Sequence, residues 1–264
     1  MPTDIVKFER RGAVAIITLN RAEQANSLDL PMAQEFFAAA AKCGDPAVRA
    51  VVLTGAGRNF CFGGDLRSMA VNGVVKREYL RELTHFLHAG ISLLVRMSAP
   101  LLAAVNGTAA GAGIGLMAMA DLAYCGSSSK FKLAYSGVGL TPDAGASFLL
   151  PHAIGARRTM ELLLLNRTLT AAEALTWGLV NGIHEDAEVF DATLVIAERI
   201  AAGPAEAFGR TKQLVGQALS GLESQLALES EAVATQAQSA EGREGIAAFL
   251  AKRAPVFVPP NLEI

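Results

Sequence analysis

Ala50-Val51-Val52-Leu53-Thr54, followed shortly by Phe60-Cys61-Phe62-Gly63-Gly64-Asp65-Leu66, recurs in plan as Leu101-Leu102-Ala103-Ala104-Val105 followed by Asn106-Gly107-Thr108-Ala109-Ala110-Gly111-Ala112-Gly113. Each apolar run reads as a strand. Each small-residue loop opens into a helix-like segment. Strand, loop and helix in that order, twice, predict an α/β fold. Two such turns are able to aim two free backbone N–H groups at one oxygen, where glycine and alanine admit a substrate closely and nothing titrates. Taken singly, either loop is equally a tight turn or a helix start. Their repetition in consecutive units favours stabilisation of an enolate or other oxyanion.

Outward from these loops, Ile5 to Arg10 and Ala13 to Leu19 predict a hairpin about Arg11-Gly12. Met32, Phe36, Phe37 and Ala40 have helical spacing within Pro31 to Cys43, with Asp29 as N-cap and Pro31 in the first turn. Arg49–Thr54 is a strand, and Lys76 to Met97 a long helix ended by Pro100. A helix from Gly113 to Met119 and short strands at Ala123-Tyr124-Cys125 and Lys130-Phe131-Lys132-Leu133 continue the alternation. From Ala144 onward the pattern is helical apart from Leu179-Val180-Asn181-Gly182-Ile183. Pro204 to Lys252 holds three amphipathic segments, separated at Gly221-Leu222 and Glu241-Gly242. A boundary near residue 200 divides an α/β core, residues 1–200, from a helical C-terminal region, residues 201–264.

The 264 residues suffice for a substantial core, and a hydrophobic content of 52% points to a large core or to apolar surface covered by another subunit. A net charge of −2 with dispersed Lys and Arg argues against nucleic acid as the main ligand, though a local basic site for a phosphorylated ligand fits. Cys43, Cys61 and Cys125 form no CxxC pair and read as free buried thiols in a reducing compartment. No signal peptide is visible, and Leu101 to Cys125, broken by Asn106 and Asp121, reads as a buried segment and not a membrane span.

Other chemistries are poorly supported. Gly111-x-Gly113-x-Gly115 lacks the glycine spacing and the later acidic residue of a dinucleotide site. His85 and His88 share a helix face, but no HExxH surrounds them and His152 and His184 stand alone, so solvated or capping histidines are expected and no metal site. No Gly-x-Ser-x-Gly nucleophile elbow occurs.

With these loops in place the chain resembles the crotonase superfamily, the enoyl-CoA hydratases and isomerases, over essentially its whole length. Arg21-Ala22-Glu23-Gln24-Ala25-Asn26-Ser27-Leu28 is similar to the family's segment near the coenzyme A adenine. Phe60 to Leu66 matches its first oxyanion motif, and Val105-Asn106-Gly107 through Asp121 its second. Gly178-Leu179-Val180-Asn181 and Glu244-Gly245-Ile246-Ala247-Ala248-Phe249-Leu250-x-Lys252-Arg253-x-Pro255 resemble two later signatures. The resemblance implies a spiral of ββα units with a helical C-terminal trimerisation region, assembled as a homotrimer or dimer of trimers. It also implies a cytoplasmic enzyme of fatty-acid or phenylacetate metabolism that acts on an acyl-CoA thioester and needs no other cofactor.

Carried over by position, the thioester oxygen would accept hydrogen bonds from the Gly64 and Ala112 amides, with the helix beginning near Gly113 adding its positive end. Ala112 departs mildly from the family's usual glycine. Substrate contacts would come from Gln24, Ala25, Asn26, Leu28, Gly63, Asp65, Leu66, Gly111, Tyr135 and Lys252. The hydratases' two glutamates are absent, since their positions read Gly115 and Tyr135. Asp143, in Gly139-Leu140-Thr141-Pro142-Asp143-Ala144-Gly145, stands where the isomerase branch, including enzymes of the 1,2-epoxyphenylacetyl-CoA isomerase type, carries its single carboxylate. From the residues alone Asp143 is equally an N-cap for a helix to Leu150. Asp65 reads as a cap. Tyr135 is either a hydrogen-bond donor or a pocket wall, with the wall preferred. Met69, Phe86 and Phe148 are further pocket candidates.

Overall fold

The computed structural model describes residues 4–71, 74–216 and 219–257. The parts of the 1–200 and 201–264 division that fall at residues 1–3, 72–73, 217–218 and 258–264 lie outside the described residues. Strands β1 (Val6–Arg11) and β2 (Val14–Leu19) form the expected hairpin. Helix α1 (Leu30–Lys42) begins where the Asp29 carboxylate accepts from the Met32 amide at 3.0 Å. A first unit follows: β3 (Ala50–Gly55), β4 (Asn59–Cys61) and the single-turn α2 (Leu66–Met69). After the short pair β5 (Ala70–Val71) and β6 (Val74–Val75), the long α3 (Arg77–Arg96) returns across the core. The plan repeats in β7 (Leu101–Val105), β8 (Thr108–Ala110) and α4 (Ala112–Ala118). It repeats again in β9 (Leu122–Gly126), β10 (Lys130–Lys132) and α5 (Ala146–Ile154). The remainder comprises α6 (Ala156–Leu165), β11 (Leu169–Thr170), α7 (Ala171–Trp177), β12 (Gly182–His184), α8 (Val189–Ala201), α9 (Ala205–Gly216), α10 (Leu222–Gln236) and α11 (Ala240–Leu250).

Each repeat places one strand in a six-stranded sheet of order β1-β2-β3-β7-β9-β12 and the next in a four-stranded sheet of order β11-β10-β8-β4. This stepping between two sheets is the expected spiral. The central strands are parallel and largely apolar, Thr18, Thr54 and Tyr124 apart, because both faces are covered. Ile17, Val51, Leu53, Leu101 and Ala103 face the main core, while Val14, Ile16, Val52, Leu102 and Ala104 face Leu194, Ala197 and Ala201 of α8. From the C-terminal stretch, Leu222, Leu226, Ala234 and Ile246 enter the same main core.

The second sheet is a correction to the sequence reading, which treats its short strands β4 and β8 as loop. Strands of only three residues lack any period to detect. The interruption of the helical pattern at Leu179 to Ile183 contains a short strand, Gly182–His184. Gly178, at φ +80°, closes α7, and Leu179 donates back to Ala174 O at 2.8 Å, so Leu179 belongs to a helix terminus. Nor is Glu241-Gly242 a break: α11 starts at Ala240, capped by Ser239, whose hydroxyl accepts from Gly242 N at 3.0 Å. Cys43, Cys61 and Cys125 are free and buried, as expected. Among the described residues no helix is long and apolar enough to cross a membrane, and Leu101 to Cys125 forms β7, β8, α4 and part of β9.

Candidate active site

One wall of the site is made of backbone. Leu28 and Gly64 form a parallel bridge in which Leu28 N donates to Gly63 O at 2.7 Å and Asp65 N donates to Leu28 O at 2.8 Å. That pattern uses the amide after Gly64 and the carbonyl before it, and leaves the Gly64 N–H out of the bridge. Gly111, at φ 50° and ψ −127°, turns the chain from β8 into α4 in a conformation essentially reserved to glycine. Ala112 is thereby the first residue of α4, so its N–H has no acceptor within the helix. The two turns touch: a Cβ on Gly63 would lie 2.9 Å from Ala112 N, and one on Gly113 would lie 2.2 Å from Cys61 O.

The opposite wall carries the acid. Asp143 lies in the irregular segment before α5 and does not cap that helix, whose N-cap is Gly145. The capping reading is therefore not observed, and Asp143 is free for another role. The Tyr135 hydroxyl donates to Asp143 Oδ1 at 2.5 Å, so Tyr135 is a hydrogen-bond donor as well as part of the wall. Among the described hydrogen bonds Oδ2 receives none. Burial pushes the Asp143 carboxyl up to about 6, with the Tyr135 hydroxyl opposing that shift. The same surroundings push the Tyr135 phenol well above its ordinary value, burial first and the Asp143 charge second.

The Asp143 segment is held from three sides. His88 Nε2 accepts from the Ala144 amide at 3.2 Å. Burial pulls His88 down to about 4, so the imidazole is neutral near pH 7 and serves as an acceptor. Glu229, 3% exposed, accepts from Gly145 N at 2.7 Å and Ser147 N at 2.9 Å, and from the Ser147 hydroxyl. Burial pushes Glu229 up to about 7 against these donors. Beneath, α4 presses on the segment, since a Cβ on Gly115 would lie 2.3 Å from Ala144 O.

Between the walls is a cavity of about 120 Å3 lined by Gly64, Gly111, Ala112, Tyr135 and Asp143 and closed by aliphatic side chains, including Leu83 and Leu87 of α3 and Val233 of α10. Phe62, Gly64, Leu66, Ala134, Val138 and Phe249 also line an outer cleft of about 820 Å3. That cleft is polar at its far side, where Gln24, Ala25, Arg67, Lys130 and Lys132 stand. An apolar chamber holding a carboxyl and two amides, reached through a cleft that carries Arg67, Lys130 and Lys132 beside Glu23 and Asp65, suits a molecule with an apolar reactive end and an anionic handle.

The sequence-derived residues distribute unevenly over this geometry. Gly64, Gly111, Ala112, Leu28, Leu66, Tyr135 and Asp143 meet at the inner cavity, and Gln24, Ala25 and Asp65 at the outer cleft. The Asp65 carboxylate is occupied, accepting from Ser68 N at 3.2 Å and pairing with Arg21 at 3.2 Å. Asn26 is fully buried, its side chain accepting from Arg21 N and donating to Ala56 O and Asn59 O, so it supports the first loop from behind. Gly63 packs against the second loop. Lys252 is exposed after α11 and lines neither space. Of the three pocket candidates only Met69 lines the cavity; Phe86 packs on Phe37, and Phe148 on His152.

His88 is neither solvated nor a helix cap, which corrects the expectation of a solvated or capping histidine. Glu229 was missed altogether. Its signal is a carboxylate on an apolar stripe, between Leu226 and Val233 at helical spacing. Lys130, Lys132 and Arg67 gave no signal, because only the fold gathers them.

The family model for enoyl-CoA hydratase/isomerase matches residues 9–259. The chain is 37% identical over 251 residues to 1,2-epoxyphenylacetyl-CoA isomerase of Escherichia coli (strain K12), covering 92% of this chain and 94% of that protein. It is 38% identical over 253 residues to a probable enoyl-CoA hydratase of Rhodobacter capsulatus, covering 96% and 97%. Among solved structures, an enoyl-CoA hydratase from Mycobacterium avium subsp. paratuberculosis K-10 superposes with a TM-score of 0.88 at 30% identity, covering 98% of this chain and 100% of that one.

Proposed function

Because the chain belongs to the enoyl-CoA hydratase/isomerase family, the crotonase superfamily of acyl-CoA enzymes, we propose that it is an isomerase that moves a double bond, or otherwise rearranges an unsaturated acyl-CoA, with a single carboxylate. The observation that carries this reading is Asp143, with one oxygen held by Tyr135 and the other unpartnered, lining the same cavity as Gly64 and Ala112. In the proposed reaction the thioester oxygen accepts from the Gly64 and Ala112 amides. Asp143 takes a proton from a carbon of the acyl chain, and the electron pair delocalises through the double bond onto that oxygen as a dienolate. Asp143 then returns the proton to another carbon, so the double bond moves and nothing is consumed. Lys130, Lys132 and Arg67 supply charge for the phosphates of coenzyme A in the outer cleft.

Hydration is disfavoured by space as well as by composition. At position 115, where the resemblance places a hydratase glutamate, a Cβ already collides with Ala144 O. Assembly as a homotrimer or dimer of trimers belongs to the same proposal. It is supported by exposed apolar side chains such as Leu164, Leu165, Leu214, Val215 and Leu228, each 65–74% exposed.

The test is proton exchange. The protein is incubated in deuterated water with β,γ- and α,β-unsaturated acyl-CoA thioesters, and label is expected at the α or γ carbon with interconversion of the two isomers. Accumulation of 3-hydroxyacyl-CoA would support the hydratase alternative. Absence of exchange across short, branched and aromatic acyl groups would support a non-catalytic acyl-CoA-binding role.

A further inference from the structure

Among the described residues Glu229 is the one carboxylate in the fully buried set, and it lies on α10, outside the two loops and outside the lining of the cavity. An unsolvated carboxylate is retained only where donors compensate it. Here the donors are the Gly145 amide and the amide and hydroxyl of Ser147. They are the first-turn groups of α5, a helix whose own N-cap, Gly145, has no side chain to satisfy them. Glu229 is therefore a cap delivered from a distant helix.

The same face of α10 reaches the other end of the Asp143 segment. Gln236 Nε2 donates to Gly139 O at 3.0 Å. Glu229, Val233 and Gln236 stand at i, i+4 and i+7, which puts them on one stripe about 10 Å long. That stripe holds residue 139 at one end and residue 145 at the other, with the cavity-lining Val233 between. Gln225, one turn before Glu229, donates to the Ser147 hydroxyl at 2.8 Å and completes the network.

We propose that Glu229 is a positioning residue, which sets where the Asp143 carboxylate stands by fixing the Gly145 and Ser147 amides immediately downstream of it. The proposal rests on the reading of Asp143 as the base. An offset of about 1 Å in a reacting group lowers turnover by up to about a hundredfold without affecting remote binding contacts. Four titratable groups converge at this segment: Asp143 and Tyr135 on the cavity wall, His88 from α3 and Glu229 from α10.

The experiment compares Glu229→Gln with Asp143→Asn in the full chain, using isomer interconversion and acyl-CoA binding. For Glu229→Gln, kcat per active site is expected to fall tenfold to a hundredfold with acyl-CoA Kd within about twofold. A purely structural role would lower the fraction of protein that binds acyl-CoA and leave kcat per binding site at the wild-type value; that result overturns the proposal. If Glu229→Gln does not fold, Ser147→Ala removes only the hydroxyl contact and keeps both amides. It is expected to lower kcat twofold to tenfold at constant Kd, and an unchanged kcat overturns the proposal. Full turnover in Asp143→Asn removes the base reading and this proposal with it. Loss of turnover there, beside an unaffected Glu229→Gln, removes this proposal alone.

Discussion

The two walls of the cavity achieve their geometry by opposite means. The amide wall is held by contacts between backbones, at glycines where a Cβ would fall 2.2–2.9 Å from the neighbouring strand or turn. Nothing in it titrates. The carboxyl wall is irregular chain, held by Tyr135, His88 and Glu229, side chains drawn from separate parts of the sequence. Burial pushes its two carboxyl groups up toward neutral pH and its imidazole down. The first wall is therefore fixed by sterics and indifferent to pH, whereas the second, though α4 crowds it as well, responds to pH because hydrogen bonds to ionisable groups hold it.

The largest expected effect breaks the carboxyl wall outright. Asp143→Asn is expected to lower isomerisation by roughly 10³-fold or more, with acyl-CoA binding, measured by calorimetry, within about twofold. The same variant tests linkage. Asp143 has a folded value near 6, above the ordinary carboxyl value of 3.8, so the native state binds more protons between those limits and stability falls as pH rises through them. Asp143→Asn removes that decline, and a gain of order 2 kcal/mol in denaturant-derived stability is expected at pH 7.5, absent at pH 3.5.

Breaking the amide wall is expected to come next. In Gly113→Ala the added methyl meets Cys61 O and parts the two turns. Turnover is expected to fall about a hundredfold and stability by about 1–3 kcal/mol, while the pH profile keeps its shape. A shifted acid limb in this variant would erase the distinction between the walls.

Tyr135→Phe sharpens the contrast more gently. The hydroxyl favours the charged carboxyl, so its loss raises Asp143 above 6 and moves the acid limb of kcat/KM upward. Activity at pH 6 is expected to drop about tenfold and to recover partly at pH 8. Least affected is Lys132→Ala in the outer cleft, where KM for acyl-CoA is expected to rise severalfold at low salt, with kcat unchanged and the difference narrowing as salt is added.

The legibility of the chain follows the same divide. The hairpin, α1, β3, α3 and β7 were readable because each is long enough to show its period. The amide wall was readable because its chemistry is local: Gly63-Gly64 and Gly111-Ala112-Gly113 carry it within a few residues. Asp143 was found through its resemblance to the isomerase branch, and from the residues alone it stayed divided between base and cap. His88 was judged by its spacing from His85, which is irrelevant to what it accepts. Glu229 was missed, its only local signal being a charge on an apolar stripe. The short strands β4 and β8 carry too few residues for a pattern, although they align the two turns.

What the sequence determined by itself was the alternation of strand and helix, the paired glycine turns and the absence of a glutamate at positions 115 and 135. These are properties of neighbouring residues, set by backbone freedom and hydrophobic period. Only the tertiary structure decided that Asp143 does not cap its helix. Glu229, 84 positions from Gly145, already satisfies that helix terminus, and Tyr135 holds the Asp143 carboxyl against the cavity. Hydrogen bonds across such separations leave no local period, because their geometry exists only once the core has brought the partners together.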